Sequence, residues 1–260
     1  MAARLSLHDV SLHFGGVKVL QEVSFDVEPG VIFGLVGPNG AGKTSLFNCI
    51  SGHYKPSSGS ITIDETEVVG LAPSRLARLG LARTFQHPAL QLEATVLQNV
   101  LLGGHTRLPG DPVSWSLHLP FTARSERDIR AEALELLERA GLGWAAHLPA
   151  DELSHGLHKG VELCRALLMK PALLLLDEPA AGLSHREVEQ LIETVRRIRT
   201  EEDITVVIVE HHMGLISALT ERVVVLDHGA KLMEGTAAEA QSDRRVIEAY
   251  IGKDAVDDVA

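Results

Sequence analysis

Cysteine is scarce in this chain, cationic residues are outnumbered, and no apolar run approaches the length of a membrane span. Two cysteines in 260 residues, Cys49 and Cys164, argue against a disulfide framework. Both fall in helical patterns and read as small core residues of a reducing compartment. The longest apolar candidates, near Leu173 to Leu176, are strand-sized, well short of the roughly 20 residues that cross a bilayer. Met1 to Asp9 carries no apolar region of the signal-peptide kind. These absences predict a soluble, cytoplasmic chain that reaches a membrane only through a partner. Lys and Arg number 24 against 35 Asp and Glu, a formal net charge of −11, which disfavours a general nucleic-acid-binding surface. Internal repeats and low-complexity segments are also missing. What is present is an ordinary globular composition, 45% hydrophobic and 23% charged, enough for a sizeable core without disulfides.

The most informative stretch is Gly37-Pro38-Asn39-Gly40-Ala41-Gly42-Lys43-Thr44. It has the form G-x-x-x-x-G-K-T, with a strand-length apolar run (Val31 to Val36) before it and a helical segment from Ser45 to Ser51 after it. Gly-rich backbone there turns several N–H groups toward one anion, and the helix that follows adds the positive end of its dipole. Lys43 is placed to reach terminal phosphates and the Thr44 hydroxyl to ligate Mg²⁺.

Taken in order, residues 4 to 28 read as an antiparallel β region, with strands over Leu5 to Leu12 and Ser24 to Glu28. Phe14 falls in the intervening turn, where it is either a core plug or a ring that stacks on a base. Ser60 to Asp64 alternates like an edge strand, Pro73 to Leu79 reads as a short helix, and Leu81 to Gln86 as a strand. Gln86, taken alone, is a polar residue at a strand end. Helices are expected over Val96 to Leu102 and Ser125 to Ala140, with a loop over Gly103 to Pro120. Leu153-Ser154-His155-Gly156 precedes a helix over Lys159 to Met169. The run Ala172 to Leu176 ends in Asp177-Glu178-Pro179, which fits a parallel strand buried on both faces and opening on a ligand crevice. A carboxylate there suits Mg²⁺, and its neighbour suits polarising a water. Arg186 to Thr200 reads as a helix, and Ile204 to Val209 as a second buried strand that ends in Glu210-His211-His212. Adjacent positions make poor metal-ligand spacing, so one histidine touching a phosphate is the better reading. Asp227-His228-Gly229 reads as a hairpin turn, Thr236 to Tyr250 as one closing helix, and Ala255 to Ala260 as a loose tail.

The order of the phosphate loop, Gln86, Leu153-Ser154-His155-Gly156, the apolar run into Asp177-Glu178-Pro179, and His211 resembles that of the ATP-binding cassette ATPases, from Phe14 to about Gly235. The resemblance implies an α/β fold with a P-loop ATPase core: a mixed sheet, flanking helices and an N-terminal antiparallel β region. Residues 1–88 and 159–235 would form this core, 89–158 a helical subdomain ending in the signature motif, and 236–260 a C-terminal helix and tail. It implies ATP and Mg²⁺ as cofactors. Phe14 matches the base-stacking aromatic, and Gly37 through Ser45 bind the nucleotide. Thr44, Gln86 and Asp177 serve the metal, with Gln86 linking it to the transmembrane partner. Glu178 matches the catalytic base and His211 the γ-phosphate switch; Lys43 and Gln86 complete the catalytic set. Ser154 and Gly156 match the signature that binds the γ-phosphate held by an opposing subunit.

The implied partners are a second cassette (identical or paralogous), integral membrane subunits and an extracytoplasmic solute-binding protein, with no nucleic acid. The implied place is the cytoplasmic face of the cell membrane, held there peripherally. The chain is more narrowly similar to the ATPase subunits of branched-chain amino acid importers and their urea and amide relatives. Arg83-Thr84-Phe85-Gln86, Glu178-Pro179-Ala180-Ala181-Gly182-Leu183, Val209 to Met213 and Val246 to Gly252 carry that likeness. Two departures stand out: Leu157 replaces the signature glutamine, and Ser184 stands where many cassettes carry an aspartate that couples the two sites. The rival readings are a cassette ATPase of DNA repair or translation, an exporter subunit, and a module that binds ATP without useful hydrolysis. The single phosphate loop and the 154 − 86 = 68 positions between Gln86 and Ser154, without sustained heptads, speak against the first.

Overall fold

The computed structural model describes residues 1–86, 88–107 and 120–251. Two compact units emerge. One takes Met1–Arg83 and the described residues from Ala172 on; the other takes Thr84–Pro171.

The first unit holds two sheets. In the antiparallel one, β1 (Leu5–Phe14), β2 (Val17–Val27), β4 (Ser58–Ile63) and β5 (Thr66–Glu67) stand in the order β2-β1-β4-β5. Contrary to expectation β4 is not at the edge; the two-residue β5 covers it, and β1 runs on through Phe14. The larger sheet combines β3 (Ile32–Val36), β6 (Leu81–Arg83), β7 (Leu173–Asp177), β8 (Thr205–Val209), β9 (Arg222–Asp227) and β10 (Ala230–Gly235) in the order β10-β9-β3-β8-β7-β6. All its pairings are parallel except that of β10 with β9. Every residue of β3, β7 and β8 is buried. Their unbroken apolar runs have this cause, since a parallel strand is covered on both faces and has no solvent side to alternate with. The β9–β10 turn places His228 at φ 44° and Gly229 at φ 80°, the paired positive angles that suit a two-residue hairpin.

The helices of this unit are α1 (Lys43–Ile50), α2 (Pro73–Arg78), α6 (His185–Glu202), α7 (Met213–Leu219), α8 (Ala237–Ser242) and α9 (Arg244–Ile251). One apolar cluster joins both sheets to α1: Phe25 stacks on Phe33 with ring centroids 5.4 Å apart, among Leu46, Phe47 and Ile61. The single closing helix expected from Thr236 is broken at Asp243, which is extended (φ −72°, ψ 118°). Its carboxylate accepts the Arg245 N–H at 2.8 Å, so the residue that ends α8 also caps α9. Gly252 and Ala255 to Ala260 lie outside the described residues.

The second unit is built on α3 (Val96–Leu101), α4 (Pro120–Arg139) and α5 (His155–Leu168). Ile129, Ala133 and Leu137 recur every fourth residue of α4 and pack with Val96, Val100, Val161, Cys164 and Leu168, the stripe of an amphipathic helix turned to a core. A capping box opens α3: Thr95 Oγ1 accepts Gln98 N–H at 3.1 Å, and Gln98 Oε1 accepts Thr95 N–H at 2.8 Å. The expected loop from Gly103 is helical over Leu102–Arg107, as a 3₁₀ segment; residues 108–119 lie outside the described residues. The α5 helix starts at His155, four residues ahead of the expected Lys159. It belongs with α3 and α4, so this unit runs on to Pro171, past the boundary read at 159.

Candidate active site

Strand register sets the site. Leu35, Val209 and Asp177 stand in one row across β3, β8 and β7. The next residues therefore leave three adjacent strands at one edge: the phosphate loop after Val36, Glu210 after Val209, and Glu178 after Asp177. This is the C-terminal edge of a parallel sheet, where α/β proteins bind ligands.

The loop needs its glycines. Gly42 is the residue before α1 at φ 101°, and a Cβ there would lie 2.9 Å from Leu20 Cδ2. A Cβ on Gly37, at φ 150°, would collide with the Leu226 carbonyl oxygen. Both positions are closed to larger residues by conformation and by space. Lys43 opens α1 and is buried. Its ammonium donates to the Gly37 carbonyl at 2.6 Å and to that of Pro38 at 2.9 Å, two of its three N–H donors. Burial pushes its pKa down, opposed by the charges of Glu178 and Asp177, so both carboxylates act on this ammonium. A contact not anticipated from the sequence ties the loop to α9: the Gly37 N–H donates to the Tyr250 hydroxyl at 2.9 Å.

Asp177 is held from the side. Arg83, the last residue of β6, donates Nη2 to Asp177 Oδ2 at 2.8 Å; its Nη1 donates to Asn48 Oδ1 at 2.8 Å and to Ser51 Oγ at 2.7 Å. The guanidinium also lies 5.7 Å from the Phe47 ring centre. Both side chains of the ion pair are almost wholly buried, at 6% and 4% exposure. Arg83 thus fastens the C-terminal half of α1 to the carboxylate that closes β7. Glu178 follows at φ 45°, a left-handed conformation that costs a residue with a Cβ about 1–2 kcal/mol. Its N–H donates to the Val209 carbonyl at 2.9 Å, which pins the turn.

The two histidines have different work. Both lie past the end of β8, so the alternation of a strand does not govern them. His212 caps α7, its Nδ1 accepting the Leu215 N–H at 3.1 Å. His211 is half exposed, with Nδ1 3.8 Å from Glu210 Oε2. Glu210 itself is fully buried. Ser184 precedes α6, and the Glu187 carboxylate accepts both its N–H (2.8 Å) and its hydroxyl (2.6 Å), which holds the Glu187 carboxyl below its ordinary pKa.

Phe14 is no core plug. It is half exposed at the end of β1 and meets Tyr54 edge-on at 5.3 Å. In the second unit, Gln86 is exposed at a bend three residues past β6, not at a strand end. Ser154 is exposed at the N-cap of α5, its hydroxyl making no cap bond, and Gly156 lies in that helix's first turn. Leu157 is partly buried against the apolar cluster of its unit, which gives the departure from glutamine a packing cause. Within the first unit, Thr44 and Asp177 offer hydroxyl and carboxylate oxygens, the hard donors that Mg²⁺ prefers; Gln86, in the second unit, offers an amide oxygen of the same hard kind. Both cysteines are buried, and burial pushes each thiol up to about 12.

Arg83, Glu210 and Tyr250 were not singled out from the sequence as functional. Glu210 did carry a signal: a charged residue placed directly after the apolar run Val206–Val209, as Glu178 nearly is.

The model of the ABC transporter family matches residues 20–181, and that of the branched-chain amino acid ATP-binding cassette transporter matches 230–256. The chain is 37% identical over 249 residues to the high-affinity branched-chain amino acid transport ATP-binding protein LivG of Salmonella typhimurium, covering 96% of this chain and 98% of that one. It is 35% identical to BraF of Pseudomonas aeruginosa, a protein of the same description, with the same coverage. Its fold is similar to a crystal structure of an ATP-binding cassette of an ABC transporter in the ADP conformation, with a TM-score of 0.84 and 30% identity over 97% of this chain and 100% of that one. No helix among the described residues is long and apolar enough to cross a membrane.

Proposed function

The chain belongs to the ATP-binding cassette transporter family, and from that premise we propose that it hydrolyses ATP to drive uptake of branched-chain amino acids or a related small polar solute through separate membrane subunits. The observation that carries this reading is the convergence, at one edge of three neighbouring strands, of Lys43, Asp177, Glu178 and the His211 segment. The names of relatives that align over nearly the whole chain speak of branched-chain amino acid transport and so supply the solute; they favour transport over repair or translation.

In this reading the amides of Gly37 through Ser45 and the N-terminus of α1 cradle the phosphates, and Phe14 takes the base. Lys43 exchanges the Gly37 and Pro38 carbonyls for phosphate oxygens. Thr44, Asp177 and Gln86 would hold Mg²⁺, which neutralises charge on the phosphates. Glu178 polarises the attacking water, and His211 contacts the γ-phosphate. Ser154 and Gly156 of a second cassette, identical or paralogous, close over the same nucleotide. Membrane subunits anchor the pair peripherally at the cytoplasmic face of the membrane, and a solute-binding protein delivers the cargo.

The test is Glu178→Gln. It should retain ATP binding while turnover falls by about 100-fold or more, the range of a lost general base. Affinity-tagged Glu178→Gln protein, recovered from native membranes with ATP, should bring integral membrane subunits with it. Normal hydrolysis by this variant would sink the assignment of the base. Recovery of only ribosomal or repair proteins would overturn the transport role.

A further inference from the structure

We infer that Glu210 is a positioning residue that locks the His211 switch to the turn behind Glu178, so that the two reacting arms of the site move as one piece. The inference rests on the ATPase reading above.

Glu210 is the first residue beyond β8, with 0% exposure. Its two carboxylate oxygens face in different directions. Oε1 accepts the Ala180 N–H at 2.7 Å, two residues after Glu178. Oε2 accepts the His211 N–H at 3.1 Å and that of His212 at 3.4 Å, and lies 3.8 Å from the His211 ring nitrogen Nδ1. A buried carboxylate is tolerated only where donors converge on it, and here three backbone N–H groups from two loops do so. The same two loops line a cleft of about 270 Å³, formed by residues 180–183 with His185, Val188 and 210–212. The Glu178 N–H is bonded to the Val209 carbonyl at 2.9 Å. The connection is therefore doubled: backbone to backbone at Glu178–Val209, and carboxylate to backbone at Glu210–Ala180.

Geometry gives the consequence. The His211 segment and the 179–183 turn belong to no regular strand or helix that would fix them. A shift of about 1 Å at a reacting group costs on the order of 100-fold in rate. A side chain that fastens both segments to each other is therefore expected to act on turnover far more than on nucleotide affinity. Glu210→Gln is the discriminating change: it keeps the volume and one acceptor oxygen but turns an NH₂ group toward one set of N–H donors.

The experiment measures steady-state hydrolysis and ATP binding for the wild-type protein, His211→Ala, Glu210→Gln and the double variant. Amide exchange at Ala180, His211 and His212 is followed in each. We expect Glu210→Gln to lower kcat by about 10- to 100-fold with KM within about twofold, and to speed exchange at these amides. In the His211→Ala background the same change should cost less than about twofold, because the histidine it positions is gone while the Glu178 turn keeps its own bond to the Val209 carbonyl. Glu210→Asp, which shortens the bridge but keeps the charge, should fall between; it also serves if Glu210→Gln does not fold. Wild-type turnover in Glu210→Gln or Glu210→Asp, unchanged amide exchange, or full multiplication of the two single effects would overturn the inference. A wild-type protein that binds ATP but does not hydrolyse it would instead sink the ATPase reading, and amide exchange would still decide whether Glu210 bridges the loops.

Discussion

Arg83 shows how a single side chain is committed by its surroundings. Its side chain is almost wholly buried, and its donors are spread over Asp177, Asn48 and Ser51. Removing one member of a buried ion pair leaves the other charge unmet, at a cost of about 3–5 kcal/mol. Arg83→Met should therefore lower unfolding free energy by about that amount in urea titrations. Arg83→Lys should recover only part of it, since a point charge cannot span three acceptors as a planar fork does. Equal stability of Arg83→Met and wild type would show that Asp177 is held by other means. Such fixing matters for the chemistry because Asp177 acts electrostatically on Lys43, the residue assigned to the phosphates.

Among the elements, the helical unit carries its own pH response. Glu132 on α4 accepts from Arg107 Nη1 at 2.6 Å and from Lys170 Nζ at 3.0 Å, and Arg107 also donates to the Leu168 carbonyl at 2.9 Å. These contacts, Arg107 first, pull the Glu132 carboxyl from 4.5 down to about 2. A lowered carboxylate contributes stability that is whole above the unfolded value of 4.5 and disappears as pH falls through about 2. The side chain is about one-third exposed, so solvent screening trims the gain. Glu132→Gln should flatten the loss of denaturation midpoint between pH 5 and pH 2 while leaving other acid transitions in place. An unaltered pH profile would refute the assignment.

What the sequence disclosed follows the same division by element. The all-apolar runs into Asp177 and Glu210, and the glycine loop before Lys43, were legible because burial on two faces and a tight anion turn each demand a narrow residue set. Helix starts were less so. His155 begins α5 because Ser154 can take the extended N-cap conformation, and nothing in periodicity distinguishes that from a start at Lys159. Asp243 breaks the last helix through a local carboxylate bond, which competes with helix at any aspartate and is decided by surroundings. The links from Arg83, Glu210 and Tyr250 span 94, 30 and 213 positions along the chain, distances at which a single sequence carries no pairing signal.

For the molecule as a whole, the bond between Gly37 and Tyr250 joins the glycine-rich loop to the last helix described. The Tyr250 hydroxyl is half-buried, and burial pushes its pKa up, so it serves as a neutral acceptor for the loop N–H. Tyr250→Phe keeps the ring and removes the acceptor; about 1 kcal/mol of stability should go with it. The variant should also show faster amide exchange at Gly37, and unchanged exchange there would refute the link. The row Leu35–Val209–Asp177 has a wider consequence. Because the groups we propose as reacting leave three neighbouring strands at one level, the length of each strand is part of that proposed mechanism. Losing one residue from β3, β7 or β8 would draw its terminal group back by about 3.3 Å and turn it to the opposite face. Descent with insertions and deletions is then open to the surface turns and closed to these three strands. Their residue count is a quantity that inheritance must conserve even where every apolar side chain within them is exchanged for another.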